Sequence, residues 1–267
     1  MSHKIHLICI DPQFDFCDPT GNLFVAGADK DMSRLAKMVT AHGKAISGMT
    51  VTLDSHHRLH IAHPIFWVDS AGNHPSPFTL ISSDDVRTGK WRSYNPGFQA
   101  RAQAYVDALA ANGRYVLIIW NPHCIIGTKG HNIHAELNDA IAAWELTEFD
   151  VAGMVTKGSN MFTEHYSAVR ADVIDPMDHT TKLNSDLITL LQDSDIKDIL
   201  ITGEALSHCV ANTIRDIAGE FSADEVKKFV LLEDACSNVG SFDKLGEDFV
   251  NEMVGKGMRV STTTKFF

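Results

Sequence analysis

Cys209 opens a helical pattern, Cys209-Val210-Ala211-Asn212-Thr213-Ile214-Arg215-Asp216-Ile217, after the segment Gly203-Glu204-Ala205-Leu206-Ser207-His208 that follows an apolar run. A free thiol has a pKa near ~8.5, and a helix N-terminus or a nearby cation lowers it, so this cysteine is a candidate nucleophile. Lys157 follows another apolar run and is the candidate cation, and Asp11 follows a third and is the candidate proton acceptor. Asp54 and His56 stand two apart past a fourth run. On an extended segment such residues point to one side, so a carboxylate and an imidazole can share one ion. A third ligand from another segment would leave positions open on the metal, as catalysis requires. His123 is the first candidate and His60 the reserve, in a stretch that also holds His57 and His63. Cys124, beside His123, is either a thiolate ligand or packing.

These groups need a scaffold that carries them to one place. Apolar, β-branched runs occur at Ile5–Ile10, Met49–Leu53, Tyr115–Trp120, Val151–Thr156, Asp198–Thr202 and Phe229–Leu232, with a further one at Met258–Val260. Helical patterns lie between them, at Met32–Ile46, Phe98–Ala111, Gly130–Trp144, Asn184–Gln192, Cys209–Gly219 and Phe242–Val254. Strict alternation of short apolar runs with amphipathic stretches predicts an α/β fold, doubly wound, with about six parallel strands and helices on both faces. In such a sheet the ligand site lies beyond the carboxyl ends of the strands. Asp11, Asp54, His123, Lys157 and Cys209 all fall at such ends.

The chain has 267 residues and a net charge of −11, with 14 histidines and 5 cysteines. The acidic balance excludes a nucleic-acid or anionic-membrane binder that works through bulk positive charge. No apolar stretch approaches the ~20 residues that span a bilayer, and the start lacks a signal-peptide pattern. An odd number of irregularly spaced cysteines argues against a disulfide framework and for a cytoplasmic protein. Cys9 reads as core, and Cys17 and Cys236 as structural. The stretch from His57 to Gly97 shows no clean periodicity and holds Pro64, Pro75, Pro77 and Pro96. It reads as an insertion at about 57–97 within one domain spanning 1–267. No G-x-G-x-x-G follows the first run, which excludes a Rossmann dinucleotide site.

Five segments, in order along most of the chain, resemble the isochorismatase-like cysteine hydrolases, and among them the nicotinamidases. Asp11-Pro12-Gln13-Phe14-Asp15-Phe16 resembles D-x-Q-x-D-F, and Asp54-Ser55-His56 with His60 resembles D-x-H-P-x-x-H. Trp120-Asn121-Pro122-His123-Cys124-Ile125-Ile126-Gly127-Thr128 resembles W-P-x-H-C-x-x-G-T. Lys157-Gly158-Ser159-Asn160 with Tyr166-Ser167-Ala168 resembles the segment of the catalytic lysine, and Gly203–Val210 resembles G-x-A-x-x-x-C-V.

The resemblance implies a Cys209–Lys157–Asp11 triad that hydrolyses nicotinamide or a related small aromatic amide through a thioester. It also implies Zn2+, or another divalent metal in its place, on Asp54, His56 and His123. The oxyanion hole would be the backbone N–H groups of Ala205 and Cys209, next to a cis peptide at Glu204-Ala205. Phe14 and Trp120 would sandwich the aromatic ring. The partner is a small-molecule amide, with a homo-oligomer possible. The sequence departs from the pattern at His57 (a proline in nicotinamidases), at the extra Asn121, and at His208, where an aromatic is common and which is a second titrating group beside the thiol. Sixty-six residues, 57 to 122, separate His56 from His123, a long interval for the family. A metal-independent isochorismatase-like or carbamoyl-amide hydrolase is the alternative, and a non-catalytic scaffold would require a missing triad member.

Overall fold

The computed structural model describes residues 4–113 and 115–267. Six strands form one parallel sheet: β1 (Lys4–Ile10), β2 (Gly48–Asp54), β3 (Gly153–Lys157), β4 (Ile196–Gly203), β5 (Phe229–Leu232) and β6 (Arg259–Ser261). Their order across the sheet is β6-β5-β4-β1-β2-β3. The chain builds outward from β1 through β2 to β3, then returns to the other side of β1 with β4 and continues to β6. The reversal lies between β1 and β4, and a crevice opens at such a point beyond the strand ends. Apolar content follows position. Leu7, Ile8, Ile10, Leu200 and Ile201 in the two central strands have no exposure, whereas most of edge strand β3 is solvated.

Helices α1 (Ala28–His42), α2 (Gln99–Asn112), α3 (Ala135–Glu148), α4 (Ser185–Leu191), α5 (Ala211–Gly219) and α6 (Asp243–Gly255) surround the sheet. α1 packs on α3, and α5 on α6. The apolar stripe of α1 (Met32, Leu35, Met38 and Val39) is buried at three- and four-residue spacing, as helical periodicity demands. The expected parallel α/β architecture is present. No helix among the described residues is long and apolar enough to cross a membrane, and all five cysteines are buried and unpaired.

One apolar run takes a different place from the one expected. Tyr115–Trp120 does not join the parallel sheet; Leu117–Ile118 pairs antiparallel with Leu80–Ile81. The Trp120 N–H donates to the Ala62 carbonyl (2.8 Å) and the Ile119 N–H to that of Thr79 (2.9 Å). Its backbone partners therefore come from the aperiodic stretch, and the sixth sheet strand is Arg259–Ser261 instead. The 57–97 stretch has its own order: a 3-10 turn at Pro64–Phe66, a ribbon of Trp67–Val68 with Arg92–Ser93, and a short helix at Ser83–Arg87. Ser82 and Asp85 form a capping box on that helix. Trp67 is buried and its indole N–H donates to the Ile61 carbonyl (2.6 Å), which ties the stretch to the histidine-rich segment.

Candidate active site

The strand ends converge. Asp54 and Lys157 are register partners at the ends of β2 and β3, Asp11 follows β1, and Cys209 lies in a π-helical turn, Leu206–Val210, between β4 and α5. Cys209 thus sits two residues before the regular helix and not on its first residue. The Lys157 ammonium is 2.8 Å from an Asp11 carboxylate oxygen, 3.1 Å from one of Asp54 and 3.6 Å from the Cys209 sulfur. All four side chains are buried. Thr52 donates its hydroxyl to the second Asp11 oxygen (2.5 Å).

Burial raises the Asp11 pKa above the ordinary carboxylate range; Lys157 opposes this and Asp54 adds to it. Burial works against the Lys157 ammonium, but Asp11 and Asp54 outweigh it and hold its pKa well above the usual lysine value. The Cys209 thiol is also held well above its ordinary value, by burial first, with Lys157 pulling down and both carboxylates pushing up. This reverses the direction expected from a cation and a helix end. Two buried carboxylates surround one ammonium, so the sulfur keeps its proton next to a base of raised proton affinity.

Beside this group lies a second one. The His56 and His123 Nε2 atoms are 2.9 and 3.2 Å from the same Asp54 oxygen. Asp54, His56 and His123 present ligand atoms within 4.8 Å of one another, and so do His56, His60 and His63. Hydrogen bonds decide which nitrogens are free. A carbonyl only accepts, so a ring nitrogen facing one must carry the hydrogen. Nδ1 faces the Gly158 carbonyl in His56 (3.1 Å), the Arg58 carbonyl in His63 (3.2 Å) and the Asn121 carbonyl in His123 (2.7 Å). That leaves Nε2 of each ring as the nitrogen a metal could take, and in His56 and His123 it faces the Asp54 carboxylate. The His63 Nε2 is buried without a hydrogen-bond partner. His60, the reserve ligand, spends both nitrogens on backbone: Nε2 donates to the Thr163 carbonyl (3.1 Å) and Nδ1 accepts from the Ala62 N–H (3.2 Å). A carboxylate with imidazole nitrogens beside it is a donor set that suits zinc.

The cavity at the sulfur is lined by Phe16, Trp120, His123, Glu164, Tyr166 and Cys209, among others, and encloses about 30 Å³. Phe14 is not there. Its ring lies under the Lys129 ammonium (3.8 Å) and borders a separate cavity with Leu53 and Met154. The 14–17 turn of helix sends Phe16 into the site, where its ring is 5.2 Å from that of His123. Trp120 does line the cavity, and its indole N–H donates to the Tyr166 hydroxyl (2.9 Å). His208 borders the cavity as a neutral ring: burial lowers its pKa to about 4. Cys124 is packed and its N–H donates to Asp15 (2.7 Å); burial, then the neighbouring carboxylates, hold its thiol protonated. The Glu204–Ala205 peptide is cis, as the resemblance implied.

Solved structures share this arrangement of elements. The chain matches a nicotinamidase/pyrazinamidase of Acinetobacter baumanii with a TM-score of 0.63 at 22% identity, over 99% of both chains. It matches the yeast nicotinamidase bound to the inhibitor nicotinaldehyde at 0.65 and 20%, over 97% of this chain and 99% of that one. A pyrazinamidase of Pyrococcus horikoshii in complex with zinc matches at 0.58 and 19%, over 97% and 99%. The chain has the nicotinamidase fold. No family model matches the sequence, and no curated protein matches it either. Within the nicotinamidase fold this chain adds groups that the sequence reading did not assign. The Gln13 amide donates to the Asp54 and His131 carbonyls (2.7 and 3.0 Å), and its oxygen accepts from the Asp54 N–H (2.7 Å). Asp15 holds the Cys124 loop. Both stand in the Asp11–Phe16 motif, which was signal enough to single them out. Glu164, buried with one oxygen unpartnered and the other 3.9 Å from His56, carried no such signal.

Proposed function

We propose that the protein is a zinc-containing cysteine amidohydrolase acting on nicotinamide or a related small aromatic amide, with Asp11, Lys157 and Cys209 as its catalytic residues. The observation that carries this reading is the contact of one buried ammonium with Asp11, Asp54 and the Cys209 sulfur, beside a cluster in which His56 and His123 turn Nε2 toward the Asp54 carboxylate. Asp11 takes the proton of the Cys209 thiol as the sulfur bonds to the amide carbonyl carbon. Lys157 stays charged and offsets the carboxylates while negative charge moves onto the carbonyl oxygen. The N–H groups of Ala205 and Cys209 serve as donors to that oxygen. The C–N bond then breaks, and the nitrogen leaves as ammonia with the proton from Asp11. Water attacks the thioester carbon, gives a proton to Asp11 and releases the acid. The thiol recovers that proton.

Asp54, His56 and His123 would hold the metal, with His63 in the adjoining group that shares His56. A divalent cation there supplies a Lewis acid that can anchor a ring nitrogen of the substrate. Phe16, Trp120 and Tyr166 provide the apolar walls that favour an aromatic amide. The test is ammonia release from a panel of nicotinamide, pyrazinamide, benzamide and an aliphatic amide. Turnover of the pyridine and pyrazine amides that disappears in Cys209→Ala, with fold and metal content retained, is the expected result. Equal turnover by Cys209→Ala overturns the triad, and no turnover of any aromatic amide overturns the substrate class.

A further inference from the structure

Glu204 has no exposure and Asp31, on α1, has 2%. One Glu204 carboxyl oxygen accepts the Ser237 N–H (3.0 Å), and the Ser237 carbonyl accepts the Leu206 N–H (2.8 Å). Residues 204 and 206 are thus both tied to Ser237, and the two ties bracket Ala205. The Ser237 hydroxyl donates to Asp31 (2.5 Å), whose other oxygen pairs with Arg34. Arg34 in turn donates to the Asp234 carbonyl (2.5 Å). On its other side the turn is held by the Glu204 N–H on the Ile10 carbonyl (2.8 Å). Gly203 makes this approach possible: a Cβ there would lie 2.0 Å from the Ile10 oxygen, at φ +113°.

The second Glu204 oxygen is buried with no hydrogen-bond partner, and Asp31 is the acid beside it. Burial, then the charge of Asp31, hold the Glu204 pKa well above the ordinary value.

We propose that Glu204, by accepting the Ser237 N–H, is a positioning residue that fixes the Ala205–Cys209 turn for oxyanion stabilisation. The inference rests on the amidase reading for its kinetic readout. Neither carboxyl lines the cavity at Cys209, so the pair acts through the turn and not on substrate.

The test compares Glu204→Gln with Glu204→Leu. Glutamine keeps an oxygen for the Ser237 N–H and a second polar group on the buried side chain, and should stay within about threefold of the parent in kcat. Leucine removes both and should lower kcat by roughly 10–100-fold, the scale of a misplaced oxyanion donor. The affinity for an aromatic aldehyde, which forms an oxyanion on the sulfur, should fall in parallel. KM and the affinity for the carboxylic acid product should change less than about threefold. A merely structural role would lower the folded fraction and leave the kcat and aldehyde affinity of the folded enzyme intact; that result overturns the proposal, as does a Glu204→Gln variant as impaired as Glu204→Leu. If Glu204→Leu does not fold, Asp31→Ala must give the same split between kcat and KM, and an unchanged kcat there overturns it. The rate of Cys209 alkylation by iodoacetamide, compared between parent and variants, reads the turn without amide turnover. It separates failure of this inference from failure of the amidase reading.

Discussion

Asp54 turns one carboxylate oxygen toward the Lys157 ammonium at 3.1 Å and the other toward the His56 and His123 Nε2 atoms at 2.9 and 3.2 Å. One side chain therefore joins the nucleophile's charge network to the cluster that would hold a metal. Burial opposes the Asp54 charge, but His56 and Lys157 hold its pKa well below the usual carboxylate range. Asp54→Asn keeps the shape and removes the charge from both groups at once. It should weaken metal binding by more than about 100-fold, since even outer-shell partners contribute 10–100-fold, and amide turnover should fall with it. Chelator competition checks the first effect and ammonia release at saturating metal the second. Turnover restored fully by excess metal would mean that Asp54 serves the cluster alone.

Lys157 supplies the positive charge between Asp11 and Asp54. Removing one partner of a buried pair leaves uncompensated charge and costs about 3–5 kcal/mol. Lys157→Met should therefore lose stability on that scale as well as activity. Asp11→Asn in the same background should recover part of the stability and none of the activity. Urea unfolding of the single and double variants measures this coupling, and additive losses would show that the ion pair is energetically idle.

The two histidines that frame the cluster should behave differently. The His63 Nδ1 is committed to the Arg58 carbonyl and its buried Nε2 is unclaimed, whereas both His60 nitrogens hold backbone. His63→Ala should lower metal affinity by about 10–100-fold, the scale at which metal-site partners act. His60→Ala should chiefly destabilise the fold, by about 1–3 kcal/mol for the polar groups it leaves unsatisfied. Titration of the apoproteins with Co2+, followed by absorbance, separates the two. A larger loss of affinity in His60→Ala would reverse the assignment.

The strand ends are legible in the sequence because parallel strands buried on both faces carry near-continuous apolar runs, and the polar residue after each run must emerge at the rim. The same signal failed at Tyr115–Trp120. An apolar run reads alike whether its partners are sheet strands or a loop, and here they are Leu80–Ile81, Thr79 and Ala62. Choosing between Phe14 and Phe16 required the phase of a four-residue helical turn, too short to leave a periodic pattern. The states of His60 and His63 depend on hydrogen bonds, one of them from residue 163, that spacing cannot reveal. The Cys209 thiol was read from one cation, and its protonation follows from two carboxylates contributed by β1 and β2.

Acid sensitivity should come partly from outside the site. The imidazole of His6, on central strand β1, is buried and bonded through Nε2 to the Thr50 hydroxyl (2.9 Å). Burial lowers its pKa from 6.5 to about 4. Between those values the unfolded chain binds a proton that the folded chain refuses. Folding stability therefore falls as pH drops from about 6.5 to about 4, by about 3 kcal/mol for this one group, and is fully present above 6.5. His6→Gln retains a group that can bond Thr50 and cannot titrate. Whatever the substitution costs at pH 7.5, the stability gap between parent and variant should narrow steadily below pH 6.5. Urea unfolding of both proteins from pH 7.5 to 4.5 gives this difference directly, because the other buried histidines cancel in it. Parallel curves would place the acid sensitivity elsewhere.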